Sequence, residues 1–302
     1  VKIAHQLWDG YIWCRGNNMK VYDCFTFFNE FDVLEIRLNE LWDSVDYFVI
    51  SEANMTHSGN SKAFYLEENW ARFEKYASKI RHLKNTDVPV TNDSWVIERW
   101  QRKSIERGLT DLSPEDLVIV SDCDEVPSSA AIDAIKEDTN DYNRYILGIP
   151  ILYFKLNYMM ITPQTRQRNI VVTKGRAFTD PQRERELTFG QFQQLPLNFA
   201  NEDFCIIEQG GWHFSYFGDT EFAKNKIVSF AHIETSDIIG NVDAINVDWM
   251  IENKVGLVGL DYVDRFEYVQ IDDSYPKYIT ENLDQWQHRI IPGATKTVEE
   301  LY

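Results

Sequence analysis

Residues Leu117 to Pro127 read Leu-Val-Ile-Val-Ser-Asp-Cys-Asp-Glu-Val-Pro, and no other stretch restricts the fold as much. Four consecutive apolar residues, three of them β-branched, predict a strand buried on both faces. Pro127 closes it off. Asp122 and Asp124 then stand at the carboxyl end of a buried strand, where open α/β sheets bind ligands. Hard oxygen donors at that position suit Mg²⁺ or Mn²⁺, and such an ion suits a diphosphate. With 25 Asp among 302 residues, roughly two Asp-x-Asp pairs arise by chance. The pair therefore gains its meaning from the strand before it; the plain alternative is a turn with two solvated aspartates.

The pattern around that strand alternates. Val21 to Phe28 reads as a strand, and Phe31 to Val45 carries apolar residues at helical spacing. Tyr47 to Ile50 is a second strand, followed by a polar loop from Ala53 to Ser61. Glu67 to Ala77 predicts a helix, Ile80 to Leu83 a strand, and Trp95 to Gly108 an amphipathic helix that Gly108 ends. Such alternation implies a mostly parallel, Rossmann-like α/β sheet. After Ser128 the chain turns β-rich, at Tyr145–Tyr158, Asn169–Thr173 and Phe204–Glu208, with helices expected over Asp219–Phe230 and Val242–Asn253. No linker splits the chain. We expect a single domain over 1–302, with a nucleotide-binding half at 19–127 and an acceptor-side half at 128–302.

Composition narrows the function. The formal net charge of −18 leaves no basic surplus to neutralise phosphates, which argues against nucleic acid and against an anionic membrane surface. No apolar run approaches the ~20 residues of a transmembrane helix, and the first twenty residues lack the apolar stretch of a signal peptide. The cysteines, at 14, 24, 123 and 205, match neither a zinc site nor a disulfide framework; Cys24 and Cys123 read as small buried hydrophobes. A reducing, cytoplasmic location is expected.

Three places in the chain, the acidic turn among them, carry a specific pattern. Tyr22-Asp-Cys-Phe-Thr-Phe-Phe-Asn-Glu30 covers the first strand. Val118 to Pro127 is the acidic segment itself. Gly211-Trp-His-Phe-Ser215 is followed by Glu221 and Lys226. With Pro276-Lys-Tyr-Ile279 near the end, these resemble glycosyltransferase family 17 over roughly Val21 to Ile291. The resemblance implies a GT-A fold, a nucleotide-sugar donor such as UDP-GlcNAc, a glycan acceptor, Mn²⁺ (or Mg²⁺), and inversion at the anomeric carbon. Animal members carry a membrane anchor and stem, which are not seen here, so another glycan than an N-glycan is an equal expectation for the acceptor.

Within that resemblance the chemistry assigns roles. Charge grows on the leaving diphosphate, which a metal stabilises, and a carboxylate takes the acceptor proton. Asp124 is the expected metal ligand, with Asp122 supporting the metal or the ribose. His213 is a candidate third ligand; its alternative is a hydrogen-bonded core histidine. Glu221 is the candidate base, although a carboxylate at a helix start is also favoured by the helix dipole; Asp219 is the fallback base, with an N-cap as its alternative. Arg102, with Arg99 on the same helix face, would reach the diphosphate. Glu52 and Asn54 would hold uracil or ribose. Glu125 either faces the site or caps the next helix. Arg166, Arg168, Lys174 and Arg176 form a basic stretch that either clamps phosphates or is a solvated strand face.

Two other readings remain open on sequence. A haloacid-dehalogenase-type phosphatase also places Asp-x-Asp after an apolar strand, but normally at the start of the chain. A glycan-binding lectin would use the aromatic residues, yet leaves the aspartates unexplained.

Overall fold

The structure, a computed structural model, describes residues 19–161, 167–188, 191–196, 199–230, 241–257 and 265–301. Its elements run β1 (Val21–Thr26), α1 (Phe31–Glu40), β2 (Tyr47–Ala53), α2 (Tyr65–Glu68), α3 (Trp70–Phe73), β3 (Ile80–Asn85), α4 (Ser94–Lys103), β4 (Leu117–Val120), β5 (Glu125–Pro127), α5 (Ser129–Glu137), β6 (Arg144–Ile149), β7 (Ile151–Tyr153), β8 (Tyr158–Ile161), β9 (Gln167–Lys174), α6 (Pro181–Thr188), β10 (Phe204–Glu208), β11 (Gly211–Ser215), α7 (Thr220–Ser229), α8 (Val247–Glu252) and β12 (Arg265–Tyr268). Short helices at Lys277–Glu281 and Leu283–Trp286 close the chain.

The larger sheet has the order β10-β6-β9-β4-β1-β2-β3. β1, β2, β3 and β4 pair in parallel, as the strand–helix alternation requires. β9 lies antiparallel between β4 and β6, so a strand from the later half completes the sheet of the earlier one. The result is a mixed α/β architecture, mostly parallel with an antiparallel insertion. The four apolar residues of β4 are 0–1% exposed, consistent with cover on both faces. The smaller sheet, β12-β8-β7-β11-β5, is antiparallel except for β7 with β11. β4 belongs to the first sheet and β5 to the second, so the chain changes sheets within the acidic turn Ser121–Asp124.

Several expectations are modified by side-chain chemistry. The helix expected over Glu67–Ala77 is broken into α2, α3 and a 3₁₀ turn; between them the Asn69 side chain donates to the Tyr65 carbonyl, competing for a backbone acceptor. α4 tightens to 3₁₀ geometry over Ser104–Gly108. The sequence reading did not separate out α6 and β11. In α6, Pro-Gln-Arg-Glu-Arg-Glu-Leu-Thr has almost no apolar stripe, because its buried positions include Glu184 and Arg185, held by ion pairs. Cys24 and Cys123 are buried free thiols, as their strand context implied; Cys14 lies outside the described residues. Among the described residues, no helix is long and apolar enough to cross a membrane.

Candidate functional site

The acidic turn is shaped from below by an arginine. Arg37 of α1 is fully buried and grips Asp23 of β1 at two points, Nη2 to Oδ1 at 2.6 Å and Nε to Oδ2 at 2.8 Å. The same guanidinium donates to the carbonyls of Asp122, Cys123 and Glu125 at 2.8, 3.2 and 3.0 Å, and to Ser121 Oγ at 2.8 Å. Burial would lower its pKa, but the Asp23 charge outweighs this and raises it, so the staple stays charged. A turn whose carbonyls converge on one guanidinium directs its carboxylates outward.

Asp122 and Asp124 meet different cations there. Asp122 Oδ1 accepts from Arg102 Nη2 at 3.0 Å, and Oδ2 accepts from Arg185 Nη2 at 2.8 Å. Arg102 also holds Glu98 at 2.7 Å and Gln182 at 3.0 Å. Arg185, from α6, grips both oxygens of Glu125 at 2.8 and 2.9 Å. Burial pushes the Asp122 pKa up, yet Arg185 and Arg102 more than offset it and hold the carboxyl well below the usual range. Asp124 Oδ2 lies 2.6 Å from Lys226 Nζ and 3.7 Å from His213 Nε2. Burial again opposes ionisation, and Lys226 and His213 overcome it, so Asp124 too is held ionised. The Lys226 ammonium is 3.2 Å from Glu30 as well. Burial lowers its pKa, and Asp124 and Glu30 raise it further than that.

His213 reaches this point because β11 lies against β5, with His213 opposite Glu125. A Cβ on Gly211 would stand 2.2 Å from the Val126 carbonyl oxygen. Gly211 thus serves close strand approach. The other ring nitrogen of His213, Nδ1, contacts Gln167 Oε1 at 3.0 Å. Burial lowers the His213 pKa and Asp124 more than restores it, so the net shift is upward.

Both aspartates open into a cleft beyond the carboxyl ends of β1, β2 and β4. Phe27, Phe28, Met55 and Phe230 give it apolar walls, and Lys62, Arg102 and Lys226 line it with Glu30 and Glu98. His57, on the loop after β2, contacts Gln101 Oε1 at 2.9 Å; burial holds its pKa below the ordinary value.

The structure therefore brings together Asp122, Asp124, Arg102 and His213. It does not bring the remaining expected residues to the cleft. Glu52 is fully buried and committed to Lys62, His82 and the backbone N–H groups of Tyr65 and Leu66 at the start of α2. Asn54 is not among the cleft-lining residues. The Glu221 side chain is 84% exposed, 3.5 Å from Lys224, on the first turn of α7, while Asp219 caps that helix through Phe222 N–H. Glu125 neither caps α5 nor faces solvent; Arg185 and Asn169 hold it. Arg99 borders a separate surface groove. The basic stretch is structural: Arg168 pairs with Glu208, Lys174 with Asp141, and Arg176 with Glu115 and Asp141. Arg166 lies outside the described residues. Sequence reasoning missed Arg37 and Arg185. An arginine inside the apolar run Ile36-Arg37-Leu38 was a signal for the first; the second left none.

Among the described residues, no group of three or more His, Cys, Asp and Glu side chains could hold a metal ion by itself. Magnesium-type ions are commonly held by one or two carboxylates plus substrate phosphates, and for that arrangement the donor set fits. Asp124 has one oxygen outside its contacts with Lys226 and His213, and both aspartates line the cleft.

Comparison with known proteins bears on this site. The model of Glycosyltransferase family 17 matches residues 6–166. The chain is 29% identical over 117 residues to a β-1,4-mannosyl-glycoprotein 4-β-N-acetylglucosaminyltransferase of Rattus norvegicus, covering 36% of this chain and 22% of that protein. It is 31% identical over 108 residues to the Homo sapiens protein of that name, covering 33% and 20%. These alignments span about a fifth of the length of the curated relatives. Among solved structures, the inositol-1-phosphate CTP transferase from T. maritima aligns with TM-score 0.35 and 10% identity over 64% of this chain and 86% of that one.

Proposed function

This chain belongs to glycosyltransferase family 17, and on that premise we propose that its cleft binds a nucleotide-sugar donor and passes the sugar to a hydroxyl of a glycan acceptor. The observation that carries the proposal is the pair Asp122 and Asp124, held ionised at the carboxyl end of β4 in a cleft that also carries Lys62, Arg102 and Lys226. UDP-GlcNAc is the proposed donor, because the related proteins are named for N-acetylglucosaminyl transfer. We take residues 1–302 as one catalytic unit of GT-A type.

Each residue then has a task. Phe28, Met55 and Phe230 offer apolar faces to the nucleotide, as base-binding clefts commonly do. Arg102 and Lys226 present cations where the diphosphate would lie. Arg37 fixes the turn and Arg185 fixes Asp122, so neither carboxylate has to reorganise when charge develops. Mn²⁺ or Mg²⁺, held by Asp124 with His213 and Asp122 beside it, would supply further stabilisation of the leaving diphosphate. The base is sought among carboxylates that line the cleft, Glu30 and Glu98, before the exposed Glu221.

A donor screen tests the proposal. UDP-GlcNAc should be turned over to UDP in preference to other nucleotide sugars, faster with a glycan acceptor. Phosphate release from sugar phosphates would favour a phosphatase, and glycan binding without UDP binding would favour a lectin; either result overturns the proposal.

A further inference from the structure

Glu98 carries a buried acceptor with no assigned task. Its side chain is 11% exposed and lines the cleft. Arg102 Nη2 holds Oε1 at 2.7 Å, while Oε2, closed to solvent, has no hydrogen-bond partner among the described residues. His57 Nδ1 lies 3.9 Å from that oxygen, too far for a hydrogen bond. His57 lines the cleft as well, and its neighbours fix its tautomer. Gln101 Nε2 donates to the Ser51 carbonyl at 3.0 Å, so Gln101 Oε1 is the atom that faces His57 Nε2 at 2.9 Å. His57 Nε2 therefore carries a proton, and in the neutral ring Nδ1 presents a lone pair. Burial favours that neutral ring by holding its pKa below the ordinary value. We propose, building on the donor reading above, that His57 Nδ1 and Glu98 Oε2 together receive the vicinal hydroxyls of the donor's ribose, and so select ribonucleotides over deoxyribonucleotides.

Two acceptors set against each other with no donor between them are costly. A buried carboxylate oxygen left unpaired has lost water and gained nothing in its place. What is missing is two protons, one for each atom. A cis-diol has the matching form, two oxygens on neighbouring carbons, each with its own proton. A base amine matches less well, because its two hydrogens spring from one nitrogen and diverge too widely for acceptors 3.9 Å apart. The other acids expected at a ribose are taken. Both oxygens of Asp122 accept from guanidinium groups, and Glu52 is held by Lys62, His82 and the start of α2. His57 stands in a turn after β2, where a small rotation of its ring opens Glu98 Oε2 to the ligand. A carboxylate that holds the ribose is not free to take the acceptor proton, so the search for the base narrows to Glu30.

Calorimetric titration of the whole chain with UDP and with 2′-deoxy-UDP, both in Mn²⁺, tests this without any turnover. Wild type should bind 2′-deoxy-UDP at least ~10-fold more weakly, the scale of a hydrogen bond to a charged group. Glu98→Gln keeps an oxygen for Arg102 and turns an amide N–H₂ toward His57 Nδ1, so the protein itself supplies the missing donor. UDP should then bind at least ~10-fold more weakly than to wild type, and the preference over 2′-deoxy-UDP should fall below ~3-fold. His57→Phe keeps a ring and removes Nδ1, and should reduce the preference in the same direction. A merely structural role would weaken both nucleotides alike and leave their ratio unchanged. If wild type binds the two nucleotides equally, or if Glu98→Gln keeps the full preference, the inference is overturned and the donor reading survives. If wild type binds neither, the donor reading falls, and this inference with it. Should Glu98→Gln fail to fold, the wild-type ratio and His57→Phe decide.

Discussion

The two halves of the chain meet the acidic turn on different terms. The earlier half supplies the carboxylates, the apolar wall from Phe27 to Met55, and the Arg37 staple beneath the turn. The later half supplies most of the charge that answers them: Arg185 to Asp122 and Glu125, Lys226 and His213 to Asp124. All three of those residues lie beyond residues 6–166, which the family model matches. The comparison teaches that the earlier half sets where the acids stand, and the later half sets how strongly they stay ionised.

The sharpest way to break this division is Arg37→Met. It leaves Asp23 buried without a partner and frees the turn's carbonyls, so it should cost about 3–5 kcal/mol, read by urea unfolding. A loss under about 1 kcal/mol, the scale of a single surface ion pair, would show that the turn holds its shape without the staple.

Asp124→Asn keeps the size and removes the charge. Transfer should fall at least ~10²-fold, as when a main electrostatic stabiliser is lost. Normal turnover would remove Asp124 from the donor site.

A smaller effect separates His57, on the earlier wall, from the cations of the later half. Burial keeps its folded pKa below the ordinary 6.5. Below pH 6.5 the unfolded chain takes up a proton that the folded chain resists, so the stability present above that pH is lost as pH falls toward the folded value. His57→Gln should flatten the fall in stability as pH drops below 6.5. Identical slopes in both proteins would show that His57 is not responsible.

The smallest effect is expected at Glu221, on the later half but away from the cleft. Glu221→Gln should change stability by no more than ~0.5 kcal/mol and leave transfer near the wild-type rate. A loss of ~10²–10⁴-fold would instead identify it as the general base and require the acceptor to reach α7.

What the sequence made legible follows the same division. β1, α1, β2 and β4 were readable because each carries its own period and buries a continuous apolar face. The acidic pair was readable because it adjoins β4. The Arg185 contact joins residues 60 and 63 positions apart, and a polar helix held by ion pairs has no hydrophobic signature to announce it. Glu52 misled for the opposite reason. It follows a strand at the expected sheet edge, but its carboxylate is consumed by α2 and Lys62 rather than offered to a ligand.

Calorimetric titration of UDP into the wild type and Asp124→Asn, each in Mn²⁺ and in chelator, tests the central claim most directly. The account predicts that wild type binds UDP more tightly with Mn²⁺ than with chelator, and that Asp124→Asn binds it equally in both. Absence of UDP binding by the wild type, or a full Mn²⁺ enhancement in Asp124→Asn, would contradict it.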